Sequence, residues 1–170
     1  MTKPFVGSII PFGIKRKEKK EMEKTGNALS KLSKEIIRYK GAYAKWAKNK
    51  SVSYNELLVM YTIAEEGSCT QKKICDDFLL PRQTMHNVFS AMKNNGYIEV
   101  DKSLSKGREK AFVLTAKGKE YAYPVLNAVS ALEEKAKDGL GEDKIWLLVE
   151  LLEEFNDGLS KAMSEESDIR

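Results

Sequence analysis

Apolar residues recur every three or four positions along most of this chain, and that period predicts a mainly helical protein. Between residues 20 and 49, Leu29, Leu32, Ile36, Tyr39, Tyr43 and Trp46 form one continuous stripe, locally weakened at Gly26 and Gly41. Ser53-Tyr54-Asn55-Glu56 is a capping box, in which the serine hydroxyl and the glutamate carboxylate satisfy two orphan amides at a helix start. The helix it opens presents Leu57, Leu58, Tyr61 and Ala64 on one face and stops at Gly67. Thr70 caps a short third helix carrying Ile74, Phe78 and Leu79. Pro81 suits the first position of a fourth helix, where a missing amide proton costs nothing, and Gly96 suits its stop after Asn95. Met85, Val88, Phe89 and Met92 are its apolar stripe.

The period then changes. Tyr97-Ile98-Glu99-Val100 predicts a strand, Ser103 to Gly107 a turn, and Lys110 to Leu114 a returning strand with Phe112 and Leu114 on one face. Helical spacing resumes after Thr115, with Val125, Leu126, Val129 and Leu132, and Pro124 predicts a kink. A polar stretch through residues 137–143 separates a last helix carrying Ile145, Leu148, Val149, Leu152, Phe155 and Leu159. Residues 1–18 lack such spacing and read as an irregular arm ending in Lys15, Arg16, Lys17, Lys19 and Lys20.

Composition narrows the picture. With 170 residues, 42% hydrophobic and 32% charged, the chain can bury a core without staples. No apolar run approaches the roughly 20 residues that span a bilayer, and the basic cluster follows the N-terminal apolar residues where a secretory signal would place it first. A cytoplasmic protein with no membrane partner is expected. There Cys69 and Cys75 should be reduced. Their six-residue spacing matches no metal pattern, so no metal is expected. Cys75 reads as a small buried filler and Cys69 as an exposed thiol. The net charge of +4 conceals an asymmetry: residues 70–120 carry +4 and residues 121–170 carry −7. The basic middle attracts phosphates and the acidic end is repelled by them.

Two helices separated by the tight Leu79-Leu80-Pro81 connection, followed by a hairpin, have the order of a winged helix-turn-helix. The fourth helix places Arg82, Gln83, Thr84, His86, Asn87 and Ser90 away from its apolar stripe, and residues 81–92 contain no acid. Arginine reads guanine, and glutamine or asparagine reads adenine, through paired hydrogen bonds; serine and threonine reach bases or phosphate. Lys102, Lys106, Arg108 and Lys110 cluster around the hairpin tip, where Gly107 permits a sharp turn. An arginine there suits a narrow minor groove. An ordinary solvated helix face carries more Glu and Lys than this one, whereas a hairpin tuned for solubility would carry similar residues. One histidine, no phosphate-cradling glycine loop and no paired catalytic carboxylates leave little for an enzyme, and no cofactor is expected.

Gly96-Tyr97-Ile98, Gly107-Arg108-Glu109-Lys110 and Leu114-Thr115-Ala116-Lys117-Gly118, in register with Pro81–Asn95, resemble the MarR family of bacterial transcriptional regulators. The resemblance covers roughly residues 25–163. Arg108 stands where that family places its wing arginine. Lys106-Gly107-Arg108 replaces the frequent Asp-Arg-Arg, which removes the acid of an internal wing salt bridge. The implied architecture is mainly α (α+β), a winged helix-turn-helix with a two-stranded β-wing, flanked by N- and C-terminal dimerisation helices. Residues 1–19 would be an arm without a family counterpart. Residues 51–115 would be the DNA-binding domain, and residues 20–50 with 116–165 the dimerisation region.

The function so implied is a sequence-specific regulator, a repressor, that binds a near-palindromic operator in double-stranded DNA as a homodimer. The alternative is a winged-helix protein-interaction module without specific DNA binding. The resemblance also implies release by a small lipophilic or phenolic effector, for which Tyr39, Tyr43 and Trp46 are the candidate lining; their helical spacing suits plain core or dimer packing better.

Overall fold

A computed structural model describes residues 16–167, with side chains from residue 25 to 166. The expected arm therefore lies, up to residue 15, outside the described residues. Its last residues are helical instead: α1 runs Arg16–Asn49, then α2 Tyr54–Glu66, β1 Cys69–Thr70, α3 Gln71–Asp77, α4 Arg82–Asn94, β2 Ile98–Lys106, β3 Glu109–Leu114, α5 Ala116–Leu140 and α6 Glu142–Ser167. The chain divides into two units, one through Leu57 and one from Leu58 onward.

In the first unit the capping box forms as expected. The Ser53 amide donates to Glu56 Oε2 at 2.8 Å and the Glu56 amide to Ser53 Oγ at 3.1 Å. Tyr39 and Tyr43 pack ring on ring at 4.8 Å. Burial, then the neighbouring Tyr39, raises the pKa of Tyr54.

The second unit holds the larger core. Met85, Phe89 and Met92 bury the stripe of α4, while Val88 is only half-buried at its edge. Pro81 takes the N-cap rather than the first helical position, with φ −60° and ψ 130°. At the other end Gly96, at φ +73°, closes a Schellman turn: its amide donates to Lys93 O and that of Tyr97 to Met92 O, both at 2.9 Å. On α2 the buried residues are Leu57, Val59, Met60, Thr62 and Ile63, whereas Tyr61 and Ala64 are exposed. The expected face was wrong because this helix is apolar on most sides, so its period does not single out one.

The hairpin belongs to a three-stranded antiparallel sheet in the order β1-β3-β2, not a two-stranded ribbon. The added strand pairs Cys69 with Phe112 and Thr70 with Ala111. Strand β2 is longer than expected and bulged: Asp101 faces Ala111 and Lys106 faces Glu109, so residues 102–105 stand opposite Lys110 alone. Asp101 holds this excursion by accepting from the amide of Ser103 at 2.8 Å, from its hydroxyl, and from the amide of Leu104 at 3.4 Å. Those hydrogen bonds, the Ser103 hydroxyl foremost, hold the Asp101 carboxyl below its usual pKa. Ser105 Oγ donates to Asp101 O and accepts from the Ala111 amide, tying the bulge back to β3.

The Leu-Thr-x-x-Gly segment is a joint. Thr115 Oγ1 caps α5 by accepting from the Gly118 amide at 2.9 Å and donates to Gly96 O at 2.6 Å, linking the start of α5 to the end of α4. A Cβ on Gly118 would lie 1.8 Å from Tyr97 O, so no side chain fits there without moving backbone. Tyr97 and Tyr121 stack at 4.0 Å, nearly parallel. Beyond this joint α5 continues through Pro124, and through the Lys137-Asp138-Gly139 stretch expected to be a linker. It breaks only at Gly141, with φ +92°. A single break residue suffices because Lys137 and Asp138 are tolerable helix formers. Among the described residues no helix is long and apolar enough to cross a membrane.

Candidate nucleic-acid interface

The candidate surface is built where α3, α4 and the hairpin meet. Thr70 caps α3 by accepting from the Lys73 amide at 3.0 Å. Phe89 of α4 packs edge-on against Phe112 of β3 at 4.9 Å, which fixes the helix to the sheet. Between them lies a cleft of about 580 Å³. Phe89, Phe112, Val100 and Cys75 give it apolar walls, and Lys72, Arg82, Lys93, Arg108 and Lys110 outnumber the one lining acid, Glu109.

The sequence candidates divide into two groups. Arg82, His86 and Ser90 of α4 line this cleft together with Arg108 and Lys110 of the hairpin. They recur at four-residue steps, so they share the flank of α4 that meets the hairpin. Gln83, Thr84 and Asn87 are exposed but lie outside the cleft lining. Gln83 Nε2 donates to Asn87 Oδ1 at 3.2 Å, which orients two amides along the helix. Lys106 is exposed at the hairpin turn, opposite Glu109 and outside the lining. Gly107, at φ +56°, and Arg108 form a two-residue turn with the positive φ first, as a tight hairpin requires. No ion pair found among the described residues involves Arg108. Asp101, the nearest preceding acid in the strand, is engaged by Ser103 instead.

Sequence reasoning missed Gln71, Lys72 and Lys93, which also line the cleft. Lys93 falls three residues after Ser90 and eleven after Arg82, so helical spacing could have found it. Lys72 needed the tertiary packing of α3. Its amine lies 3.1 Å from Asp76, whose hydrogen bond keeps the lysine pKa above its usual value.

The proposed effector residues lie in the other unit, all on α1. Tyr39 is exposed, and Tyr43 and Trp46 are half-buried. Cys69 is not exposed, contrary to expectation: its strand pairs with β3 at the sheet edge and its side chain is buried. Burial first, and then the Glu66 carboxylate, push its thiol pKa up to about 12, so the reactive thiolate is suppressed. Cys75 is buried as expected. Among the described residues no group of three or more His, Cys, Asp or Glu is placed to hold a metal ion.

No family model matches the chain, and no curated protein matches it. Solved structures do. A MarR family regulator from Neisseria meningitidis is 29% identical with a TM-score of 0.74, over 82% of this chain and 98% of that one. AbfR of Staphylococcus epidermidis is 24% identical with a TM-score of 0.65, over 84% and 98%. Staphylococcus aureus MarR, solved in complex with salicylate and kanamycin, is 20% identical with a TM-score of 0.58, over 85% and 96%. The last two likenesses are of fold; the first extends to sequence, along nearly the whole of the Neisseria protein. In fold, and in sequence to the Neisseria protein, the chain is thus similar to the MarR family of winged helix-turn-helix transcriptional regulators.

Proposed function

We propose that the protein is a homodimeric, sequence-specific transcriptional repressor that binds a near-palindromic operator. The observation that carries this reading is the shared cleft: the acid-free flank of α4, with Arg82, His86 and Ser90, faces the same space as Arg108 and Lys110 of the wing. In this reading α4 enters the major groove, where Gln83, Thr84 and Asn87 read base edges. Arg108 reaches the adjacent minor groove, and Lys106 and Lys110 hold phosphates. Residues 51–115 form the reading domain, and residues 20–50 with 116–165 the dimerisation region. Exposed apolar side chains on these helices, Ile36 and Ile37 on α1 and Trp146, Leu148 and Leu151 on α6, support a second copy as their cover. Two-fold symmetry would place two copies of α4 about one DNA turn apart. A DNA partner places the protein in the cytoplasm.

A phenolic or lipophilic effector that releases the DNA is part of the proposal. It is supported by the salicylate bound to the Staphylococcus aureus relative, and Tyr39, Tyr43 and Trp46 on α1 are its candidate contacts.

The test is selection of bound duplexes from a random DNA library, followed by anisotropy titration of the enriched sequence at two salt concentrations. Enrichment of a two-fold symmetric site, with affinity falling as salt rises, is expected. No enrichment, with weak binding to every duplex, would replace this reading by a winged-helix protein-interaction module.

A further inference from the structure

The turn between α3 and α4 holds a residue that the fold itself does not favour. Phe78 ends α3, its amide donating to Ile74 O at 3.2 Å, and the Leu80 amide returns to Cys75 O at 3.0 Å. Between them Leu79 adopts φ +49°. In that left-handed region a Cβ crowds the backbone carbonyl, so glycine or asparagine is the ordinary occupant and a bulky side chain is an outlier. Leu79 is also 89% exposed, more than any other large hydrophobic residue of the described chain. The strain is therefore not offset by burial: within one chain the side chain has almost nothing to pack on.

Its position suggests what it meets. Leu79 precedes Arg82 by three residues, at the N-terminal end of α4, the end of a recognition helix that approaches base edges. Resting on the DNA-binding reading above, we propose that Leu79 is a specificity residue that packs on a thymine methyl group in the major groove, beside the bases met by Arg82 and Gln83. The C5-methyl is the apolar feature that the groove offers. The acids just before the turn are ion-paired, Asp76 3.1 Å from Lys72 and Asp77 2.7 Å from Lys73. A protein partner fits less well. Leu79 is flanked by the exposed Phe78 and Pro81 and the half-buried Leu80, an apolar tip still far smaller than a stable protein interface requires.

The test is Leu79→Asn, which keeps a residue tolerant of the turn and removes the apolar side chain. The full-length variant should melt at the same temperature or about 2–4 °C higher. Its affinity for the library-selected site should fall about three- to tenfold, the scale of one lost methyl contact. Replacing thymines of that site by deoxyuridine should cost the wild type the same factor and leave Leu79→Asn unaffected. Equal affinities of variant and wild type would overturn the proposal. So would a loss that persists unchanged on deoxyuridine DNA, or a change in molar mass by light scattering, which would assign Leu79 to a contact between copies. A wild-type protein that prefers no duplex sinks the DNA-binding reading and this one together; the other outcomes sink this one alone.

Discussion

The segment from β1 to β3 and the last helix spend their apolar residues differently. From β1 to β3, Ile74, Met85, Phe89, Met92, Ile98, Phe112 and Leu114 are all buried, and the turn at Phe78–Leu79 and Leu104 of the bulge are its large apolar exposures. On α6, by contrast, Trp146, Leu147, Leu148, Val149, Leu151, Leu159 and Met163 are exposed in a single chain. A core closed on itself can position side chains for a ligand without help. A helix that leaves so many apolar groups in water is half of something. The charge follows the same division, with +4 over residues 70–120 and −7 over residues 121–170. The closed part is thus also the basic part, and the open part the acidic one.

The hardest way to break the closed half is at its joint. Gly118→Ala forces a methyl group into Tyr97 O and must displace backbone, because the obstacle is not a flexible side chain. A loss of about 2–4 kcal/mol is expected, seen as a melting temperature about 5–15 °C lower. An unshifted melting curve would mean that the α4–α5 joint is looser than this geometry. The open half breaks differently. Leu148→Lys with Leu151→Glu adds charge to an exposed face, so the monomer should keep its helical circular dichroism while light scattering reports half the wild-type molar mass. Unfolding instead would show that this face is core. Retention of the wild-type mass would remove α6 from the interface.

The difference between the halves also explains what could be read from sequence. Met85, Phe89 and Met92 repeat at helical spacing and are buried, and Gly96 and Thr115 act locally, so α4, its stop and the next cap were legible. Strand β1 was not: two residues are too short for a period, and Thr70 announced only its capping role. Strand β2 was cut short because Lys102-Ser103-Leu104-Ser105 bulges out of the alternation. Leu79 was read as carried by the third helix, because an apolar residue at helical spacing carries no sign of its φ angle. Among the candidate contacts, Arg82, His86 and Arg108 were named from residue type and spacing. Their convergence with Lys72 on one cleft depended on the Phe89–Phe112 packing, which brings together residues distant in sequence.

Smaller changes sharpen the comparison without breaking either half. Arg108→Ala removes a cation at the hairpin turn for which no ion pair was found, so the melting temperature should hold. Affinity for the selected site should fall more than tenfold, about 1.4 kcal/mol. Unchanged affinity would remove the wing from the interface. Lys106→Ala should cost less, act alike on every duplex and flatten the salt dependence by about one unit of slope. A loss confined to one sequence would make Lys106 a base reader rather than a phosphate contact.

The gentlest probe of the closed half is chemical. With its thiol pKa pushed up to about 12 by burial and by Glu66, Cys69 carries almost no thiolate at pH 8. Alkylation in the native protein should therefore be at least about a hundredfold slower than after denaturation. The linkage has a definite sign. The folded state holds this proton more tightly than the unfolded one, so the stability contribution is whole below the unfolded pKa near 9 and declines as pH rises from there toward 12. Peptide mapping of the alkylated site and denaturant melts at pH 8 and pH 10 measure the two effects. Rapid native labelling of Cys69 would show that β1 detaches from β3 on the timescale of the reaction. The sheet would then be two-stranded for part of the time, and the closed half less closed than its packing implies.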